Sequence, residues 1–390
     1  MSKLEALNYD IIICGGGLSG LSLAYRAIRS KVWTDEKILI IEEKEKVEND
    51  RVWSFWEKGI SPFEEIIFRR WSNLTVFSHT GRCIELDHSP YVYKMIRSSD
   101  FYALTRNFLE TIPNVQFSSD KVLQITNEQN YCKIKTAKSY YECKFAFSSI
   151  YARPPLANGH HYFLQHFKGL TIATEEIKIN PSNAWIMDFR TPQDSGATFF
   201  YTLPLDKNKL FIEYTAFSKE VFSDQAYDVG IKRYIREVLQ INNYSVVDSE
   251  QGAIPMTNYV FQRNEGNITY IGTAGGDTRG STGYTFTNLQ RTISKILDQY
   301  QKTHSPINFT EQLKFRTLLY DGTLLEVLNR NEYPPHEIFT DLFTNANGRS
   351  IFEFLDGTST FKTDLNIMNS LKTWPFLKAF IKEAWMKVTG

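Results

Sequence analysis

The sequence predicts an α/β fold: a parallel sheet covered by helices, an antiparallel sheet interleaved in it, and a helical C-terminus. Three observations carry this. The stretch YDIIICGGGLSGLSLAYRAIRS, residues 9–30, passes from an apolar run through glycines into a helical pattern. Between residues 185 and 215, runs of β-type residues alternate with polar turns. After residue 300 the helical period dominates.

In chain order, Ile11–Cys14 reads as a buried strand, and Leu18, Leu21, Leu23, Ala24 and Ile28 form the apolar face of the following helix. KILIIEE, residues 37–43, is a second strand, which completes a βαβ unit and implies parallel pairing. RSSDFYALTRNFLET, residues 97–111, reads as an amphipathic helix with Ser98 or Ser99 as N-cap and Phe101, Leu104, Phe108 and Leu109 on its apolar face. Residues 115–150 form short strands with polar turns. Trp185–Phe189, Thr198–Leu205 and Leu210–Thr215 read as antiparallel strands, the last two joined into a hairpin by DKNK at 206–209. ITYIG, residues 268–272, returns to a buried strand before a glycine-rich turn and a helix. The expected segments are 1–155 and 251–300 for the first domain, 156–250 for the antiparallel sheet and 301–390 for the helical end.

Bulk properties narrow the function. The 44 basic and 44 acidic residues cancel, and no basic run tracks phosphates, so nucleic acid is excluded as a partner. A hydrophobic fraction of 42% excludes global disorder. The 28 Phe, 21 Tyr and 7 Trp either fill a core or line a tunnel for an apolar, unsaturated ligand. The four cysteines form no CxxC pair and no histidine cluster joins them, so neither zinc nor a disulfide framework is signalled; the expected compartment is a reducing cytoplasm. The N-terminal MSKLEALNYD has no signal-peptide pattern, and no run reaches the ~18 apolar residues of a spanning helix, so membrane contact is expected to be peripheral. WPFLKAFIKEAWMKV, residues 374–388, places Leu377, Phe380, Ile381, Ala384, Trp385 and Val388 on one helical face and Lys378, Lys382, Glu383 and Lys387 elsewhere. That pattern suits a helix lying in a bilayer interface or a terminal helix docked on the core.

Gly15, Gly17 and Gly20 fit GxGxxG between a strand and a helix. The first glycine permits the tight turn, the second lets backbone approach a pyrophosphate, and the third lets helix pack on sheet. Glu42 or its neighbour Glu43, at the end of the second strand, supplies the acid for a ribose hydroxyl. A second glycine turn, YIGTAGGDTRGSTGYTFTNLQ at 270–290, again leads from strand to helix. It resembles flavoproteins of the aromatic-hydroxylase type, in which a late Gly-Asp-Ala turn and a helix N-terminus face the flavin. Gly272, Thr273 and Ala274 occupy those positions, with Gly275 and Gly283 in the same region. Thr273 replaces the usual acid, with Asp277 as a possible substitute, and Arg97 matches a position that often carries a flavin-contacting arginine. Two such turns favour FAD over a nicotinamide alone, making the first domain a Rossmann-like FAD-binding domain.

LFIEYT, residues 210–215, places Glu213 on the same strand face as Phe211 and Thr215. A carboxylate there is a solvated surface group, an ion-pair partner, or an acid held protonated. Four segments in order resemble the flavin-dependent lycopene β-cyclase family in its bacterial form: the N-terminal fingerprint with NDRVWSFWE (49–57), FFYTLPLDKNKLFIEYT (199–215), GAIPMT (252–257) and RGSTGYTF (279–286). The family's acidic motif has two adjacent acids, whereas here Glu213 is followed by Tyr214. The resemblance implies a redox-neutral isomerase that closes the linear ends of lycopene, or a related acyclic carotenoid, into β-rings. It implies reduced FAD, NADPH as reductant, Glu213 as general acid, and a peripheral place on the inner face of the membrane. Trp53, Phe211 and Tyr284 are the expected substrate-pocket residues, with Trp56, Phe199, Phe200 and Tyr201 as further candidates. The rival expectation is an FAD-dependent oxidoreductase of hydroxylase or prenyl-reductase type acting on an apolar substrate.

Overall fold

Strand β1 (Leu7–Cys14) has Ile11, Ile12, Ile13 and Cys14 wholly buried, as a continuous apolar run requires when helices or loops cover both faces of a sheet. This is a computed structural model, and it describes residues 7–389 apart from 45, 47, 195 and 310–314. A glycine turn leads into α1 (Leu18–Arg29) and then β2 (Ile38–Glu42). Next come β3 (Val52–Glu57), β4 (Arg69–Trp71), β5 (Asn73–Phe77), β6 (Cys83–Glu85), β7 (Val92–Arg97) and α2 (Ser98–Glu110). Strands β8 (Val115–Ser119), β9 (Val122–Asn127), β10 (Cys132–Thr136) and β11 (Tyr140–Ser148) follow. The chain then runs through β12 (Tyr162–Ala173), β13 (Asn183–Asp188), β14 (Ala197–Pro204), β15 (Lys209–Ser218), α3 (Asp224–Glu237) and β16 (Ser245–Thr257). It returns through β17 (Asn264–Glu265), β18 (Ile268–Tyr270) and α4 (Phe286–Thr303). It ends in α5 (Phe315–Arg330), α6 (Pro335–Asn345), α7 (Gly348–Leu355), α8 (Phe361–Asn369) and α9 (Thr373–Thr389).

Strands β18, β11, β1, β2 and β8 lie side by side and parallel, with β17 antiparallel on one edge and β9 and β10 extending β11. The βαβ unit read from residues 9–43 thus forms the centre of the parallel sheet. The second sheet has the order β16-β12-β15-β14-β13-β5-β6, antiparallel except where β13 meets β5. Its hairpin β14–β15 pairs Thr198 with Ala216 and Pro204 with Leu210. Two of its strands, β5 and β6, come from within residues 1–155, and β16 runs on to Thr257. Short, half-polar strands carry no sequence mark of the sheet they will join. A third, small sheet has the order β3-β7-β4.

The N-cap of α2 differs from expectation. Arg97 holds the cap position, and Ser98 lies inside the helix. The Ser98 hydroxyl instead donates to the Glu48 carbonyl and accepts from the Arg51 N–H, tying the preceding loop to the helix. A serine bound to a loop cannot also cap its own helix.

Candidate active site

At the tip of β1, Gly15 has φ +108°, a conformation that favours glycine. A Cβ on Gly20 would lie 2.0 Å from the Gly15 carbonyl oxygen, so α1 packs on the turn at glycine distance. A Cβ on Gly17 would meet nothing within 4 Å, and no side chain caps α1 there. The result is an open, positively polarised helix start, as a pyrophosphate needs. Glu42 Oε2 accepts from the Gly16 N–H at 2.7 Å, and with Lys44, Lys46, Ser118 and Ser119 it lines a cavity of about 90 Å³. Glu43 turns away to Lys121 at 3.3 Å. Of the two candidate acids, only Glu42 faces the turn.

The second glycine turn closes on the first. Gly272 has φ +64°, and a Cβ there would lie 2.2 Å from Ser19 Oγ at the start of α1. A Cβ on Gly275 would meet the Tyr270 carbonyl, and one on Gly283 would meet Gln165 Oε1. Arg26 of α1 donates to Gln290 and Ser294 of α4, locking the two helices together. Asp277 does not face outwards. Its oxygens accept from Arg263 at 2.8 Å, the Gly272 N–H at 2.7 Å and Thr292 Oγ1 at 2.7 Å, so it organises the turn. Arg97 is half-exposed, pairs with Asp100 at 2.7 Å and lies over Phe68.

Glu213 lies mid-way along β15, where every residue from Leu210 to Phe217 is buried because the sheet is covered on both faces. Its carboxyl accepts from Thr215 Oγ1 at 2.7 Å, and the buried carboxyl of Glu250 is its electrostatic neighbour. Burial pushes Glu213 up to about 7, against the opposing effects of the Thr215 hydroxyl and of Glu250. Glu213 is buried and in no salt bridge among the described residues, so it is neither solvated nor ion-paired, and burial makes it hold its proton more tightly than an ordinary carboxyl.

Pairing register explains how two carboxyls meet here. Gly169 on β12 sits opposite Glu213 on one side and Glu250 on the other. Directly opposed residues share a face, and glycine puts no side chain of its own between them. A Cβ on Gly169 would lie 2.7 Å from the Phe211 ring and 3.1 Å from Glu250 Cγ. Glu250 Oε2 accepts from the Val52 N–H at 2.7 Å. Burial, then the neighbouring charge of Glu213, pushes Glu250 well above the carboxylate range. Glu250 escaped the sequence reading: it precedes GAIPMT as one acid among polar residues, and only cross-strand register brings it to Glu213. Tyr214 faces the other way, stacked on Phe200 at 4.6 Å under α3, so the second acid position of the family motif lies on the far side of the sheet.

Beside the pair, Tyr201 sits opposite Glu213 on β14. Its hydroxyl lies 3.4 Å from that of Tyr284, which lies 3.3 Å from that of Tyr93. Burial pushes all three phenols up, so they stay neutral. Tyr201 and Tyr284 lie on the wall of an apolar cavity of about 470 Å³, with Trp56, Phe217, Phe339 and Phe352. Phe361, Leu365 and Leu377 line it while exposed to solvent, which places its mouth between α8 and α9. Of the expected pocket residues Trp53, Phe211 and Tyr284, Tyr284 lines this wall, as do the further candidates Trp56 and Tyr201. Trp53 packs edge-on against Phe101 and Tyr102 in the nucleotide domain, because three positions along a strand reverse the face; Trp56 takes the cavity side. Phe211 is buried over Gly169 beside the acids, and Glu213 itself stands one cross-strand position behind the wall residue Tyr201.

The other acids next to aromatic runs are structural: Glu57 pairs with Lys94 at 3.0 Å and Asp188 with Arg190 at 2.6 Å. The structure also gathers His161, Glu326 and Glu383, a group that no sequence spacing announces. Lys382 at 2.8 Å and Arg330 at 2.7 Å already neutralise Glu326, so this donor set reads as an ionic tie between helices.

The two glycine turns, the parallel sheet and the interleaved antiparallel sheet define the fold of flavin-dependent oxidoreductases and halogenases. A geranylgeranyl bacteriochlorophyll reductase-like protein from Thermoplasma acidophilum superposes with a TM-score of 0.62 at 11% identity, over 97% of this chain and 100% of that one. A flavoprotein/dehydrogenase from Cytophaga hutchinsonii gives 0.60 at 11% identity over 97% and 100%. The flavin-dependent brominase Bmp2 gives 0.58 at 12% over 97% and 100%. A comparison with curated proteins finds no significant match. The chain belongs to the lycopene cyclase family: the family model for lycopene cyclase protein matches residues 10–380.

Proposed function

We propose that this protein cyclises the linear ends of lycopene, or of a related acyclic carotenoid, to β-rings by redox-neutral acid catalysis. The observation that carries the reading is Glu213, a buried carboxylic acid kept protonated near neutrality one strand position from an apolar, aromatic cavity. Family membership supplies the substrate class.

Gly15, Gly17 and Gly20 with Glu42, and Gly272 and Gly275 of the second turn, are the residues that would hold FAD; the open helix start at Gly17 fits its pyrophosphate. When bound and reduced, with NADPH as reductant, FAD supplies an electron-rich surface without net electron transfer. The protein's own groups do the rest. The cavity takes one polyene end and leaves the remaining chain to exit between α8 and α9. Glu213 gives its proton to the terminal C=C bond, forming a C–H bond and a carbocation. The faces of Trp56, Tyr201 and Tyr284 stabilise the cation without attacking it, since burial keeps the phenols neutral. The neighbouring double bond closes the ring, and loss of a proton restores neutrality.

Membrane docking serves the same reading. On α9, Trp374 is 72% exposed and Trp385 70%, with Leu377 and Ile381 between them, along the cavity mouth. No helix among the described residues is long and apolar enough to cross a membrane. A helix lying in the interface of the inner leaflet would present the mouth to a bilayer-dissolved substrate.

The test is pigment chromatography of lycopene-accumulating cells expressing wild type or Glu213→Gln. Ring-bearing products from wild type and unchanged lycopene from the flavin-loaded variant are expected. Substrate-dependent NADPH consumption with a reduced or oxygenated product would replace this reading with a redox one.

A further inference from the structure

We propose that Glu250 acts as a neutral hydrogen-bond donor to Glu213, stabilising the carboxylate that forms when Glu213 gives up its proton and holding it ready to take a proton back. The proposal rests on the cyclase reading above and supplies the missing base for it. Two hydrogen bonds and one glycine fix the pair. Thr215 Oγ1 donates to Glu213 Oε1, the Val52 N–H donates to Glu250 Oε2, and Gly169, opposite both acids in register, leaves room over the strand for the Phe211 ring and Glu250 Cγ. Two carboxyls in contact cannot both ionise, so one keeps its proton. The fixed Val52 N–H orients Glu250 from a different sheet, which holds the pair from both sides. The other charged or titratable groups around the pair are Arg51 ahead of β3, Tyr93 on β7, Tyr201 on β14 and Tyr227 on α3.

The proton balance closes without a further reactant. The Glu213 O–H bond and the terminal C=C π bond break as the substrate C–H bond forms; ring closure uses the π bond of the neighbouring C=C to make one C–C bond; a ring C–H bond then breaks to form the ring C=C bond, and the Glu213 O–H bond re-forms. Throughout, the Glu250 proton stays on Glu250 and its hydrogen bond strengthens onto the transient carboxylate. A neutral carboxylic acid stabilising an oxyanion in an apolar site is an effective device. Glu250 is thus a positioning residue, acting through Glu213.

The decisive comparison is Glu250→Gln with Glu250→Leu, in purified, flavin-loaded protein acting on lycopene in vesicles across pH. Glutamine keeps an acceptor for Val52 and an N–H donor for Glu213, and is expected to retain most of the rate. Leucine removes the donor: the plateau rate should fall about 10- to 100-fold while the alkaline limb moves up by about one to two pH units. A merely structural role would lower the rate without moving the limb. Leucine with wild-type rate and limb overturns the proposal, and so does glutamine as damaged as leucine. Infrared titration gives a readout independent of turnover: wild type should keep one protonated-carboxyl band above neutral pH that Glu250→Gln lacks, and persistence of that band in the variant overturns the assignment. Wild type that shows the band but leaves lycopene untouched overturns the cyclase reading instead.

Discussion

Thr215 bears on the acid as directly as any neighbour. Its hydroxyl favours the charged form of Glu213, so Thr215→Val should raise the alkaline limb of cyclisation by up to about one pH unit. The same shift has a stability consequence. Glu213 titrates near 7 when folded and at about 4.5 when unfolded, so the folded chain holds more protons between these values. Its stabilising contribution is whole below the unfolded value and is lost as pH rises through 7. Between about pH 5 and about pH 8, Glu213→Gln should therefore lose less melting temperature than wild type; an equal or larger loss would show that Glu213 is ionised at the lower pH. Gly169→Ala places a methyl group against the Phe211 ring and Glu250, and should cost about 1–3 kcal/mol in denaturant titration while separating the two acids.

Among the elements, α9 shows how one helix serves two surfaces. Its Phe376 and Phe380 line the cavity, and its outward side carries Trp374, Leu377, Ile381 and Trp385. The sequence pattern set Glu383 among the polar positions, but Glu383 is 1% exposed and accepts from Asn258 at 3.1 Å next to His161. The apolar stripe is consequently split between core and solvent: the docked reading describes its Phe376 and Phe380 side, while its other side is exposed. Val388 of that stripe lies outside the residues whose side chains are described. Removing one partner of a buried polar cluster leaves the others uncompensated, so Glu383→Ala should destabilise by about 3–5 kcal/mol, read from denaturant midpoints at fixed flavin loading. The turn carrying Tyr284 is held in a comparable way, by the buried Arg279–Asp321 pair at 2.6 Å and the Ser281 hydroxyl on Asp321 at 2.7 Å.

For the whole molecule, the arrangement combines a glycine-turn cradle, a buried acid and an apolar cavity whose mouth carries exposed apolar side chains. Replacing Trp374 and Trp385 together with Ser removes the exposed indoles without touching the cavity wall, so co-sedimentation with anionic liposomes should fall while flavin binding is kept. Unchanged co-sedimentation would remove α9 from the membrane contact. Activity on detergent-dispersed lycopene should survive this double substitution, which separates delivery of substrate from catalysis.

The sequence by itself determined the nucleotide end of this protein. Strand, glycine turn and helix are consecutive in the chain, so local spacing already carries the positions of Gly15, Gly17, Gly20 and Glu42. It also determined that Glu213 and Tyr214 face opposite ways, because alternation along a strand is a local property. Tertiary structure decided what spacing cannot express. Cross-strand register set Glu250 against Glu213 over Gly169, although 37 positions separate the acids and 44 separate Glu213 from Gly169. Strand pairing sent β5 and β6 to the second sheet, and it put Trp56 rather than Trp53 on the cavity wall. Enclosure by its own turn turned Asp277 from a free acid into a structural one. The physical reason is common to all four: a side chain's protonation and exposure depend on what the rest of the chain brings to it, and those neighbours are distant in sequence.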